Sequence, residues 1–311
     1  MIVVGKSEKI SACLETARRI AQTDSTVLIT GETGTGKEVL AHFIHANSRR
    51  ADGPFVAVSC ANFSEQFVED DLFGHEPGAF TGAARKRQGK VPLADGGSLF
   101  LDEIGELSWE IQAKLLRFLE TRRYTRMGSD KECDADVRLF AATNRKLEVE
   151  CRKGSFRDDL FYRLNVFQIT LPPLRDRFED IPDLVRYFLE EMAKKRSTTY
   201  SINPDALEAL VKYRWPGNIR ELRNVIERAT AISTHGTIDM THLPSLDSGF
   251  DTSVSKKPYH TQIKEHQRAI ILSALKECEG NKTEAARKLG LNRTYLIRLI
   301  HELGLSECVE G

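Results

Sequence analysis

The sequence predicts an α/β fold: a mostly parallel sheet with helices on both faces, then a helical lid-like subdomain, then a small all-α domain. Three observations lead there. Short apolar runs alternate with helical stretches up to residue 172. The pattern becomes wholly helical from 180 to about 240. Past a stretch rich in Ser, Asp, Gly and Pro at 243–260, the chain is helical again to its end. The expected organisation is an α/β unit over 1–172, a helical subdomain over 173–242, a linker over 243–260 and a terminal domain over 261–311.

In chain order, residues 7–22 place Ile10, Cys13, Leu14, Ala17 and Ile20 at helical spacing. The β-branched run 25–30 reads as a strand, the glycine-rich GETGTGK at 31–37 as a turn, and 38–48 as a helix. Further strands are expected at 55–60, at 98–103 after the turn residues Asp95-Gly96-Gly97, and at 136–144. A helix is expected over 104–120. Beyond Pro172-Pro173 helices are expected at 181–195, 204–213 and 218–232, with no strand signal among them. Three short helices follow at 264–280, 281–290 and 292–304, and no internal repeat is present.

Composition limits the function. The chain has 311 residues, and its 45 Lys and Arg balance its 45 Asp and Glu, which excludes a globally basic nucleic-acid coat but not a local basic patch. With 29% charged and 41% hydrophobic residues it is neither a disordered chain nor a collagen. No apolar run approaches the ~18 residues of a membrane span, and the N-terminal stretch is too short for a secretory signal. Cys13, Cys60, Cys133, Cys151, Cys278 and Cys308 form no C-x-x-C pair, as expected of reduced thiols in a cytoplasmic protein.

The turn GETGTGK fits the phosphate-binding pattern G-x-x-x-x-G-K through Gly31, Glu32, Thr33, Gly34, Thr35, Gly36 and Lys37. Its glycines let backbone N–H groups turn inward around phosphate oxygens, the following helix adds its N-terminal dipole, and Lys37 supplies a point charge. A strand before it and a helix after it give the expected context for ATP. Glu38 stands where Ser or Thr usually follows the lysine, so Mg²⁺ must lean on Thr33 or Thr35, on water, or on a second motif. That motif is Ser98-Leu99-Phe100-Leu101-Asp102-Glu103, whose acids fall at the C-terminal edge of a strand, where ligands of such sheets bind. Asp102 is expected to hold Mg²⁺ and Glu103 to polarise the attacking water. Alone, the two acids could equally cap the next helix.

The string GAFTGA at 78–83 resembles the signature of the sigma-54-dependent transcriptional activators, bacterial enhancer-binding proteins of the AAA+ ATPase class. The similarity continues through ADGGSLFLDEIGEL (94–107), AATNR (141–145), FRDDLFYRLNVF (156–167), LPPLRDR (171–177) and WPGNIREL (215–222). The resemblance implies that Gly78, Ala79, Phe80, Thr81, Gly82 and Ala83 form a loop inserted into a helix, with Phe80 and Thr81 touching the sigma factor. It implies that Asn144 senses the γ-phosphate, that Arg157 and Arg163 reach the ATP of a neighbouring subunit, and that Arg220 acts from the helical lid. It further implies assembly of dimers into a hexameric or heptameric ring, with the sigma-54 RNA polymerase holoenzyme and enhancer DNA as partners. Read as residues, Gly78 and Gly82 are permissive hinges, and an exposed Phe80 calls for a partner. Arg157 and Arg163 could instead pair with Asp158 or Asp159, Asn144 could simply end a strand, and Arg220 could be a solvated charge.

Two departures bear on coupling. The family usually has Asn before the Cys of its second strand, where it grips the catalytic Glu. Here Ser59 stands there, with Asn62 three residues on. Gly89-Lys90-Val91-Pro92 replaces the usual G-R-F-E.

At the C-terminus, Ala285, Ala286, Leu289 and Leu291 give an apolar bend between two short helices, the spacing of a helix-turn-helix. Between 281 and 300 five basic residues face one acid, Glu284. Asn292, Arg293, Thr294, Tyr295 and Arg298 start or line the last helix, the part that enters a DNA groove in such motifs. The segment resembles the Fis-type DNA-binding domain of the same family. A nucleotide-gated repressor and a protein-unfolding AAA+ machine are the rival readings, and GAFTGA argues against both. Cys60 and Cys133 are weak redox candidates, and His42 with His45 a weak metal pair. The chain opens at the ATPase segment, so a truncated response regulator or control in trans is expected.

Overall fold

A computed structural model describes residues 3–61, 65–196, 198–233, 236–244 and 282–288. The chain divides into two compact units, Met1–Asp247 and Ser248–Gly311.

In the first unit α1 (Glu8–Ala21) leads to β1 (Val27–Thr30) and α2 (Lys37–Ala46), then to β2 (Phe55–Ser59) and α3 (Glu65–Phe73). A hairpin of β3 (Gly74–His75) and β4 (Arg87–Gln88) precedes the short α4 (Lys90–Leu93), β5 (Ser98–Asp102) and α5 (Trp109–Thr121). A second hairpin, β6 (Arg123–Thr125) with β7 (Glu132–Asp134), leads to β8 (Arg138–Thr143), α6 (Leu147–Arg152), α7 (Asp158–Leu164) and β9 (Phe167–Thr170). The helical subdomain holds α8 (Ile181–Arg196), β10 (Ser201–Ile202), α9 (Pro204–Lys212), α10 (Asn218–Ile232) and β11 (Thr237–Ile238).

The sheet runs β2-β5-β8-β1-β9, all parallel. Strand side chains alternate between faces, and the burial follows that alternation. Leu28, Leu99, Leu101, Leu139 and Ala141 pack into a core with α5 and α7. Val27, Ile29, Phe100, Phe140 and Ala142 pack into a second core with α1 and α2. Both faces are covered, which explains why these strands read as continuous apolar runs. A third core, with Trp215 fully buried, belongs to the helical subdomain.

The central strand begins with a buried charge. Arg138 is 1% exposed, donates to Ile20 O at 2.9 Å and Ala21 O at 3.2 Å, and so caps the C-terminus of α1. Burial pulls its pKa down to about 10.

Several elements depart from the expectation. The fifth strand, β9, had no strand signal. It is an edge strand in which only Ile169 is fully buried. The helix expected over 104–120 starts later, because Ser108 caps α5 and a 3₁₀ turn, Ile104–Glu106, precedes it. The all-helical stretch contains one small parallel pair, Ser201 with Thr237 and Ile202 with Ile238. In the second unit only α11 (Lys282–Lys288) is described, within the expected 281–290 helix, with Ala285 and Ala286 buried. The helices expected at 264–280 and 292–304 lie outside the described residues.

Candidate functional site

The turn after β1 wraps the N-terminus of α2 at the C-terminal edge of the sheet. Gly36 sits in the left-handed region at φ 100° directly before Lys37, the first residue of α2. Lys37 is 6% exposed; its Nζ donates to Gly31 O at 3.1 Å and lies 3.5 Å from Glu103 Oε1. The Thr35 hydroxyl is turned back to Glu32 O at 2.8 Å. Thr33 is exposed, and its Oγ1 accepts from Asn144 Nδ2 at 3.1 Å. Glu38 is exposed and lines the same cavity as Asp102 and Glu103.

The two acids fall where the β5 register ends. Ser59 of β2 lies opposite Asp102, and Cys60 N donates to Asp102 O at 2.9 Å. Glu103 has φ 53°, an uncommon conformation for a residue with a side chain. The turn sends its carboxylate back over Lys37. Its Oε2 accepts from Asn144 N at 3.2 Å. Lys37, Glu103, Asn144 and Thr33 therefore form one connected set. Asp102 Oδ1 accepts from Glu103 N at 3.1 Å, and Oδ2 has no hydrogen-bond donor among the described residues. Burial, then the charge of Glu103, push the Asp102 carboxyl up from its ordinary value, with Lys37 pulling the other way. A carboxylate destabilised in this manner, with an open oxygen beside a phosphate loop, suits a hard divalent cation.

The cavity is about 400 Å³ and is closed from the other side by the helical subdomain. Val3, Ile10, Leu171 and Tyr187 supply apolar walls, and Arg220 lines the cavity from α10. The subdomain also holds the loop from behind. Gly34 O accepts from Ile219 N at 3.0 Å and Arg220 N at 3.3 Å. Gly34 has φ 81°, and a Cβ there would lie 2.4 Å from Gly217 O, so no larger residue fits. Arg175 clasps the Glu32 carboxylate through two bonds of 2.8 and 2.6 Å, and Arg177 donates to Thr35 O at 2.9 Å. Asn218 reaches Glu32 and Thr33 as well. Sequence reasoning gave no role to Arg175, Arg177 or Asn218. The available signals were the dense arginines of LPPLRDR and an Asn after a Pro-Gly turn, a residue that tolerates left-handed backbone.

GAFTGA lies at the tip of the loop between β3 and β4, between α3 and α4. Gly78 N donates to Ala83 O at 2.8 Å and Ala83 N to Phe80 O at 3.0 Å, so the six residues close on themselves. Thr81 is exposed. Phe80 is half-buried instead of fully exposed, because its ring meets His75 edge-on at 4.9 Å. His75 is anchored in turn, with Nδ1 2.5 Å from Asp70 Oδ1 and Nε2 2.8 Å from Arg85 O, while Arg87 donates to Asp70 and Asp71. Lys90, Val91 and Pro92 fall within α4, and Val91 is buried.

Arg157 and Arg163 do not line the cavity. Arg157 pairs with Asp159 at 2.7 Å and lies over the Trp109 ring, and Arg163 donates to Leu119 O at 3.0 Å. Asn62 and the expected DNA contacts Asn292, Arg293, Thr294, Tyr295 and Arg298 lie outside the described residues. Burial and the charges of Asp102 and Glu103 push the Cys60 thiol up to about 12, which removes its thiolate reactivity. His42 stacks on Phe55 and His45 bonds Ser98 Oγ at 2.9 Å, both packing roles. No cluster of three or more His, Cys, Asp or Glu side chains that could hold a metal ion occurs among the described residues. No helix among them is long and apolar enough to cross a membrane.

Comparison with known proteins gives three family matches in series. A sigma-54 interaction domain matches residues 3–170, an AAA+ ATPase lid domain 175–257, and a Fis-family bacterial regulatory domain 262–302. The transcriptional regulatory protein ZraR of Klebsiella oxytoca is 47% identical over 300 residues, covering 95% of this chain and 67% of ZraR. The regulatory protein AtoC of Escherichia coli K12 is 43% identical over 98% of this chain and 68% of AtoC. Among solved structures, NtrX of Brucella abortus in complex with ATP superposes with a TM-score of 0.75 at 34% identity, over 98% of this chain and 69% of NtrX.

Proposed function

The chain belongs to the sigma-54-dependent transcriptional activators, AAA+ family proteins with a Fis-type helix-turn-helix, and on that premise we propose that it hydrolyses ATP to open promoters held closed by sigma-54 RNA polymerase. The observation that carries the reading is the convergence of Lys37, Glu103, Asn144 and Thr33 in one hydrogen-bonded set, with Asp102 alongside, on the phosphate loop.

In this reading the loop amides and Lys37 hold the triphosphate, and Asp102 binds Mg²⁺. The metal, when bound, neutralises charge on the phosphate oxygens. Lys37 leaves Glu103 for the γ-phosphate, which frees the Glu103 carboxylate to accept a proton from the attacking water. The water oxygen bonds to the γ-phosphorus, and ADP departs with the electron pair of the broken bond. Asn144 contacts both Glu103 and the loop and senses the γ-phosphate. Arg220 acts from the lid, and Arg157 and Arg163 complete the site of the next subunit in a ring of six or seven. Phe80 and Thr81 carry the movement to the sigma factor. The terminal domain holds enhancer DNA, with Arg293 and Asn292 reading it, in the bacterial cytoplasm. Boundaries near 172, 242 and 260 separate ATPase, lid, linker and DNA-binding parts.

Phosphate release from ATP by the purified chain tests the chemistry. Lys37→Ala is expected to lose nucleotide binding. Glu103→Gln is expected to bind ATP and turn it over at least ~100-fold more slowly. A Glu103→Gln variant that hydrolyses at the wild-type rate overturns the assignment.

A further inference from the structure

A loop that turns its N–H groups inward to a phosphate turns its carbonyls outward, and each outward carbonyl needs a donor. Here the carbonyls of Thr33, Gly34 and Thr35 take their donors from the helical subdomain. Gly34 O takes Ile219 N and Arg220 N, Thr35 O takes Arg177, and Thr33 O takes Asn218 Nδ2 at 3.1 Å. Asn218 does more than the others. It is 0% exposed, its second Nδ2 bond goes to Glu32 Oε2 at 3.1 Å, and its Oδ1 accepts Leu174 N at 2.7 Å. One side chain thus joins the loop, the segment that enters the lid, and the first turn of α10. Both amide hydrogens are used, so hydrophobic or acidic replacements cannot reproduce it. Its backbone stands at φ 54°, a left-handed conformation that Asn adopts more readily than other residues with side chains. Glu32, the acid it grips, is held from the other side by the Arg175 guanidinium.

We infer that Asn218 is a positioning residue that latches the lid to the back of the phosphate loop, so that lid seating sets the loop's phosphate-ready shape. By linkage, a phosphate in the loop must hold the lid to the same extent. The geometry therefore makes α10 a reporter of phosphate occupancy through the loop's carbonyl side, separately from any contact Arg220 makes with the nucleotide. The inference rests on the reading that this loop binds a nucleoside triphosphate.

Asn218→Gly in the full chain isolates the latch, because glycine keeps the left-handed backbone without strain and removes only the amide. The expected result is a rise of about tenfold in KM for ATP with kcat changed no more than about twofold, since Lys37, Asp102 and Glu103 are untouched. Asn218→Asp, which sets a carboxylate against Glu32, is expected to be worse. Hydrogen exchange gives a second reading. Adding a slowly hydrolysed ATP analogue to the wild type is expected to slow exchange in both 31–37 and 217–222, and in Asn218→Gly to slow 31–37 alone. Wild-type KM and wild-type protection of 217–222 in Asn218→Gly overturn the latch, as does a lowered melting temperature with both kinetic parameters unchanged. If the wild type shows the paired protection but no phosphate release, the hydrolysis reading falls and the latch stands. If the analogue protects neither segment of the wild type, the latch falls.

Discussion

At the residue scale the site holds Asp102 at a cost to stability. Its carboxyl is raised above the ordinary value by burial first and by Glu103 second. A raised carboxyl binds its proton more tightly in the folded than in the unfolded chain, so stability from this group is full below the unfolded pKa and falls as pH rises through the folded one. At neutral pH the Asp102 carboxyl therefore destabilises the empty protein relative to acidic pH. Asp102→Asn keeps an oxygen for the Glu103 N–H and removes the charge. The expected outcome at pH 7, without nucleotide or Mg²⁺, is a higher melting temperature than wild type together with loss of ATP turnover. A melting temperature equal to or below wild type would show that the charge is not strained in the fold. Lys37, Asp102 and Glu103 were legible in the sequence because each sits in a contiguous string whose order alone fixes strand, turn and helix. Arg175, Arg177 and Asn218 were not, because their partners lie 142 to 186 residues away and only the closed fold brings them together.

At the scale of elements, what distinguishes the glycines is what surrounds them. Gly78 and Gly82 stand at φ 84° and 103° with nothing within 4 Å of an added Cβ, whereas a Cβ at Gly34 meets backbone at 2.4 Å. Gly82→Ala therefore costs only the local left-handed strain, about 1–2 kcal/mol. Gly34→Ala forces loop and lid apart. The loop tip is anchored through Phe80 on His75, away from Lys37, Asp102 and Glu103, so it can be altered without altering the chemistry. Phe80→Ala is expected to leave phosphate release within a few-fold of wild type. It should also abolish the complex formed with isolated sigma-54 in the presence of ADP–aluminium fluoride, read by gel filtration. A Phe80→Ala protein that still forms that complex would remove this loop from the interface. The three inner strands, β5, β8 and β1, were legible as apolar runs because they are covered on both faces, and the edge strand β2 was legible through its apolar FVAVS. β9 was not, since its polar Gln168 and Thr170 break up any apolar run around its one buried residue, and two-residue strands such as β3 and β4 exist only through their pairing. Ser59 faces the Asp102 position while Glu103 is held by Lys37 and Asn144 instead, so the departure noted in the sequence coincides with a different grip on the glutamate.

At the scale of the whole molecule, the cavity gathers Lys37, the acids Asp102 and Glu103 and the lid arginine Arg220, but not Arg157 or Arg163. Both are on or beside α7, tied to Asp159 and to the end of α5, with Trp109 half-exposed and Tyr162 75% exposed beside them. Two guanidiniums and two aromatic rings at a surface outside their own site are the composition of an interface core, where Arg, Trp and Tyr are enriched. If that surface meets the cavity of a second copy, each competent site takes Glu103 from one subunit and Arg163 from the next. Glu103→Gln and Arg163→Ala subunits would then each be inactive alone for different reasons. Mixed, an Arg163→Ala subunit that keeps Glu103 can sit beside a Glu103→Gln subunit that keeps Arg163, and that one junction contains a complete site. At equal mixing about a quarter of junctions have this order, so phosphate release is expected to recover to a substantial fraction of the wild-type rate, far above the sum of the separate variants. The specific activity of the wild type is expected to rise with protein concentration and to level off once rings are complete. No recovery in the mixture, with a wild-type rate per chain that is constant on dilution to monomer, would mean that each subunit completes its own site and that Arg157 and Arg163 serve only the α5–α7 contact.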